Sequence, residues 1–379
     1  MKLYCLSFIL LFLLSCQNRE YPSCYNLIAS DHFLSFPIDN DTKSPYNVLD
    51  FEDKGKKYLS FPNGWKELLI YDVERECLVK KITFEDVTGR NNGNEILSYN
   101  ILDFNTIFLS TGYGNLLCLT DTTARIISKI RYLETSEGQD LVTTLYPPII
   151  LNDGIIYLHQ GINLKYGNNS MGKSPLGVMV DTMLNKITST PLYYLDLYSN
   201  EELVYATHGN RNWCCYDGKR LIYSYDTKDS LITLDTCFKQ QKSYWSQSKF
   251  IDKVSSESHF NWNLDQILKR ICETPSYGNI IYDKYRNVYY RIAYPEVEFE
   301  RNEDFLEVFR SGRKQFSIII LDKDLNVVGE TLFPPYTYNP KVIFVDKDGL
   351  YISISHYKRE DYSDDWLRFQ RIDLVEIKK

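Results

Sequence analysis

The chain has 379 residues, 44% of them hydrophobic and 25% charged, which supplies a large core and excludes a disordered chain. Its 43 Lys and Arg against 50 Asp and Glu give a formal charge of -7, which argues against a nucleic-acid partner because phosphate binding needs basic surface. Aromatic residues reach 15%, with 31 Tyr, and ring side chains pack best on a half-buried sheet face, so the composition favours strands over helices.

In chain order, the first element is an apolar run from Leu3 to Leu14 that ends in Ser15 and Cys16. It falls short of the roughly 20 apolar residues that span a bilayer and reads as a signal peptide. Leu13, Leu14, Ser15 and Cys16 resemble the lipobox of bacterial lipoproteins. That resemblance implies cleavage before Cys16 and a diacylglycerol on its thiol. Residues 1–15 are assigned to the signal peptide, 16–26 to a lipid-anchored tether and 27–379 to the folded domain. Changing Cys16→Ala is expected to release the protein from membranes. Beyond Cys5 and Cys16, the cysteines Cys24, Cys77, Cys118, Cys214, Cys215, Cys237 and Cys272 show no CxxC spacing, so neither a zinc site nor a disulfide framework is expected. Cys214 and Cys215 are adjacent, and neighbours on a strand point to opposite faces, so both read as small buried hydrophobes.

The folded part carries a repeat. Asp53, Asp103, Asp153, Asp217, Asp283 and Asp346 each open a polar turn followed by an apolar strand, at separations of 50, 50, 64, 66 and 63 residues. A second apolar strand follows each, ending near Asp72, Asp121, Asp181, Asp235, Asp322 and Asp373. With the strand leading into each turn and a fourth strand behind, the pattern predicts six units of four antiparallel strands, an all-β six-bladed propeller. The last unit stops early, and residues 27–38 are strand-like, so they are expected to supply its outer strand and close the ring. Phe260, Leu264, Ile267, Leu268 and Ile271 recur at helical spacing and predict one short helix over 260–272, in a link between blades.

The lipobox, the segments 58–64 and 68–72, and the run from Val288 to Ile292 together resemble a group of uncharacterised Bacteroidetes lipoproteins with a TolB-like six-bladed propeller. The resemblance implies an outer-membrane anchor, facing either the periplasm or the cell surface. It carries over no catalytic residues.

In a four-stranded blade, the turns joining strands one to two and three to four lie on one side of the ring. The loops joining two to three, and the links between blades, lie on the other. The first side has short turns, whereas 161–176, 195–213, 239–279, 295–313 and 357–366 are long and fall on the second. Long loops on a rigid scaffold are where binding resides. The central funnel on that side is the expected ligand site. Arg291, a charge inside an apolar strand, would be its anchor, with Asn63, His159, Asn210, Arg211, Trp213 and His356 as neighbours. His159, His208 and His356 are a weaker metal candidate, and no cofactor, metal site or catalytic residue is assigned. The acids from Glu296 to Asp304 read as the wet face of a strand pair. The expected function is a membrane-anchored propeller that binds a peptide, glycan or envelope protein. The alternatives are a hydrolase or lyase with a dispersed metal or acid/base site, and a structural envelope component.

Overall fold

A computed structural model describes residues 24–377 apart from 44, 46, 65, 85–95, 112–115, 132–149, 153, 160–174, 182, 184–185, 194–211, 236–239, 255–262 and 301–302. The aspartate-headed turns and apolar strands form six antiparallel sheets of four strands each, arranged as a propeller. Blade 1 holds β2 (Leu49–Asp53), β3 (Lys56–Asn63), β4 (Glu67–Asp72) and β5 (Cys77–Thr83), and blade 2 holds β6 (Ile96–Asp103), β7 (Thr106–Thr111), β8 (Leu116–Thr120) and β9 (Ile126–Arg131). Blade 3 comprises β10 (Ile150–Asn152), β11 (Ile155–His159), β12 (Gly177–Asp181) and β13 (Lys186–Ser189). In blade 4 the strands are β14 (Asn212–Tyr216), β15 (Arg220–Tyr225), β16 (Ser230–Asp235) and β17 (Gln241–Trp245). Blade 5 has β18 (Ser276–Asp283), β19 (Val288–Tyr294), β20 (Ser317–Leu321) and β21 (Val327–Leu332). Blade 6 takes β22 (Asn339–Asp346), β23 (Gly349–Ser353) and β24 (Trp366–Glu376) from late in the chain, and β1 (Tyr25–Pro37) pairs outside β24 as its fourth strand.

Strand alternation explains how the blades adhere. Successive side chains leave a strand on opposite faces, and each blade is covered on both faces by its neighbours. In β15, Leu221 and Tyr223 pack toward blade 3 while Ile222 packs toward blade 5. The buried hydrophobic residues accordingly fall into six clusters, one at each joint between blades. Cys214 and Cys215 part the same way, into the blade 3–4 and blade 4–5 joints. Burial raises the pKa of both thiols well above the ordinary thiol range, which leaves them unreactive.

The closing strand also grips blade 5. The Cys24 amide donates to the Val328 carbonyl at 2.8 Å, and the Leu27 amide to Thr331 Oγ1 at 2.9 Å. The fit requires glycine at 329, because a β-carbon there would lie 2.2 Å from the Tyr25 carbonyl oxygen. We expect Gly329→Ala to push β1 off β21 at a cost of about 1 to 3 kcal/mol, read as an earlier thermal transition. An unchanged transition would show that β1 yields freely at this point.

Two helices interrupt the strands among the described residues. The helix expected over 260–272 is α1 (Leu264–Glu273), started by Asn263, whose side chain accepts from the Gln266 amide in a reciprocal capping box. The second, α2 (Phe305–Arg310), follows the acidic run that the sequence presented as a strand pair. Residues 295–300, 303 and 304 form no strand. Asp304 instead caps α2, its carboxylate accepting from the Leu306 and Glu307 amides.

Candidate functional site

The two ends of the ring are built differently. At the short-turn end, aspartates fold the turns locally and basic side chains then reach the next blade. Asp217 accepts from the Lys219 and Arg220 amides, and Arg220 Nη2 continues to the Lys323 carbonyl of blade 5 at 2.8 Å. Asp283 does the same for Tyr285 and Arg286, and the Arg286 guanidinium reaches the Asp346 and Lys347 carbonyls of blade 6 at 3.0 and 2.9 Å. Lys57 pairs with Asp50 and donates to the Val345 carbonyl, which joins blade 1 to blade 6. Glu52 of blade 1 accepts from Lys284 Nζ at 2.9 Å and from the Tyr285 hydroxyl at 2.8 Å, bonds that pass blade 6 to reach blade 5. Those two donors hold its carboxyl below the usual carboxylate range. Lys57, Glu52, Arg220 and Arg286 thus spend their polar groups on joining blades 4, 5, 6 and 1.

The long-loop end carries both helices and a cluster of rings and charges over blades 5 and 6. Lys358 pairs with Glu303, with Nζ 2.6 Å from Oε2, and sits over the Tyr336 ring at 4.6 Å and the Tyr357 ring at 5.9 Å. Lys314 lies over Phe299 at 5.3 Å and Tyr336 at 5.7 Å, and donates to the Glu298 carbonyl. Burial, reinforced by the Glu303 carboxylate, pushes the Tyr336 hydroxyl up to about 12. Among the described residues, the buried Tyr357 hydroxyl makes no hydrogen bond. Farther out, Asp361 is pulled down to about 2 by its hydrogen bond from Arg359 and by the neighbouring Arg368. Trp366, at the same end of blade 6, is 43% exposed. Ring faces, ammonium groups and carboxylates side by side suit a ligand with both apolar faces and hydroxyl or amide groups.

Of the residues expected at the funnel, Asn63, Trp213, Arg291 and His356 are described. Arg291 lies on the face of β19 that looks toward blade 4, between Tyr289 and Ala293, and is fully buried. Its five N–H donors are all engaged. Nε donates to Ser224 Oγ at 3.0 Å, Nη1 to the Ser246 carbonyl and hydroxyl at 3.0 and 2.6 Å, and Nη2 to the Tyr225 and Lys228 carbonyls at 3.3 and 2.6 Å. The Tyr277 ring covers the guanidinium at 3.7 Å, and burial lowers its pKa to about 10. The second strand of a blade alternates between joints and does not line the central axis, which is why a charge at this position enters the blade 4–5 joint.

Asn63 is buried and fully used in holding the link from β1 to β2, accepting from the Lys43 amide and donating to the Asp41 carbonyl and to Glu67. Trp213 packs half-buried at the blade 4–5 joint. Asn210, Arg211, His208 and the side chain of His159 lie outside the described residues. So does Cys16. Among the described residues, no group of three His, Cys, Asp or Glu is placed to hold a metal ion.

His356 is fully buried beside the ring cluster, stacked on Tyr357 with centroids 5.2 Å apart. Its Nδ1 accepts from the Lys358 amide, which fixes the neutral ring with its proton on Nε2. Burial pushes its pKa down to about 4. The folded pKa therefore lies below the unfolded value of about 6.5. The neutral ring's contribution is complete above pH 6.5 and is lost as the pH falls toward 4. We expect wild-type stability to drop by about 3 kcal/mol across that window, at 1.36 kcal/mol per pKa unit. His356→Gln should flatten the drop in urea titrations run at several pH values, and an equal slope in the variant would place the titrating group elsewhere.

A family model described as a domain of unknown function, DUF4221, matches residues 25–332. The chain belongs to the DUF4221 family. The match runs from β1 to β21, so it takes in the closing strand and blades 1 to 5. A crystal structure of a DUF4221 member from Bacteroides vulgatus superposes with a TM-score of 0.79 at 24% identity, covering 94% of this chain and all of that one. At that identity the likeness establishes the shared fold. No curated protein matches the chain.

Proposed function

We propose that this DUF4221 protein is a lipid-anchored envelope propeller that binds a peptide, glycan or partner protein at its long-loop end, with Tyr336, Tyr357, Lys358 and Glu303 at the centre of the site. One observation carries the reading. At the short-turn end Lys57, Arg220, Arg286 and Glu52 are committed to joining blades, whereas the opposite end gathers rings and charges on loops that a propeller does not need for closure. Clusters of this kind on loops above a rigid scaffold are the usual setting for recognition. The lipid anchor at Cys16 rests on its lipobox. No helix among the described residues is long and apolar enough to cross a membrane.

Glycan and peptide arrays probed with the lipid-free Cys16→Ser protein test the site. The expected result is a hit retained by the parent and lost in the Tyr336→Ala, Lys358→Ala double variant, with the melting temperature of both proteins recorded alongside. A hit that survives the double variant but fails after changes at the short-turn end, such as Lys219→Glu with Lys347→Glu, would overturn the assignment.

A further inference from the structure

We infer that the bilayer lies against the short-turn end of blade 6, at a patch made by Ile28, Val375 and Ile377, and that the long-loop end is thereby presented away from the membrane. The inference deepens the reading above and rests on anchoring through Cys16. Its first support is the direction of β1. Tyr25 pairs with Glu376 and Pro37 with Trp366, so the strand enters at the short-turn end and leaves at the long-loop end. The Ile377 amide donates to the Cys24 carbonyl at 2.8 Å, which fixes Cys24 at that lower edge.

Cys16 lies eight positions before Cys24. Eight residues span at most about 29 Å when fully extended. β24, the 11-residue strand paired with β1 from Trp366 to Glu376, rises about 33 Å from one end of the blade to the other at roughly 3.3 Å per residue. The tether is thus too short to carry the lipid up the side of blade 6, and the short-turn end is the one within reach.

The second support is independent of the tether's length. Asn26 pairs with Val375 and Ile28 with Asp373, so Ile28, Val375 and Ile377 share one face of the outer strand pair, while Leu27 and Leu374 turn into the blade 5–6 core. The three are 49%, 38% and 43% exposed, an apolar group beside the point where the tether enters. Turns at this end carry acids and lysines together, with Lys323 paired to Asp324 and Lys284 to Glu52, so their charges offset each other. The contact is apolar, and it holds when salt is raised.

The test uses the full-length lipidated protein bound to phosphatidylcholine vesicles with brominated acyl chains, which quench only nearby tryptophan. Ile377→Trp places a reporter at the short-turn end, and Leu306→Trp places one on α2, at the long-loop end, where Leu306 is 38% exposed. The expected result is loss of the added emission for Ile377→Trp and none for Leu306→Trp, at low and at high salt. Equal quenching, no quenching or the reverse order, with protein still on the vesicles, overturns the orientation alone. Vesicle binding that persists in Cys16→Ala, or wild-type protein that floats free of the vesicles, overturns the anchoring and the orientation with it.

Discussion

Replacing Arg291 with methionine should lower the stability of the fold by about 3 to 5 kcal/mol, a loss of the size seen when buried charged groups lose a partner. The side chain is fully buried and all its donors are used, three of the bonds going to the carbonyls of Tyr225, Lys228 and Ser246. Methionine fills much of the volume but donates nothing, and each buried acceptor left without a donor costs about 1 to 3 kcal/mol. Lysine should rescue little, because a single ammonium cannot reproduce the fork that meets Ser224 on one side and Ser246 and Lys228 on the other. The measurement is the urea midpoint at unchanged slope. A midpoint near that of the wild type would mean that the blade 4–5 joint is held by its apolar side chains alone.

Deletion of residues 25–37 is expected to have the larger effect. It removes Leu27 from the blade 5–6 core and Leu34 and Phe36 from the blade 6–1 core, and it bares the edge of β24. Truncating single buried Leu or Phe side chains costs about 2 to 5 kcal/mol each, so three together approach the entire stability of an ordinary domain. The unpaired edge adds a template for association. The deleted protein should therefore elute as aggregate in size-exclusion chromatography and show no cooperative melt. A synthetic peptide spanning the missing strand should recover part of the monomer. A monomeric variant melting at the wild-type temperature would show that the ring is closed without this strand.

The fold was legible because each blade repeats the same local chemistry. Asp217, Asp283 and their counterparts fold the turns through their own carboxylates, and apolar runs such as Leu221 to Tyr225 are what a strand covered on both faces requires. Six such units left few alternatives to a ring. The helix α2 was hidden because its six residues are too few for a periodic signal, and the Asp304 cap stood within an acidic run that read equally well as a solvated strand. The position of Arg291 was hidden for a different reason. Sequence marks a charge in an apolar strand, but which joint or opening receives it depends on the face of the strand and on its radial place in the blade. The cluster around Lys358 is contributed by loops whose positions no periodicity encodes. Its only trace in the sequence was the length of segments 295–313 and 357–366.

The composition of blade 6 also constrains the order in which the molecule can be made. β1 is synthesised before every other strand, yet its partner β24 comes after all of them. Until β24 emerges, Leu34 and Phe36 have only the blade 1 half of their joint to pack against, and five blades can form around a gap with nothing to lock it. Pairings of such long sequence separation form slowly, because the loop must close before any contact repays it. Closure of the ring thus works as a completeness check, since a chain cut short anywhere before β24 retains an open edge and an unsealed joint and offers itself to proteases in place of a finished propeller.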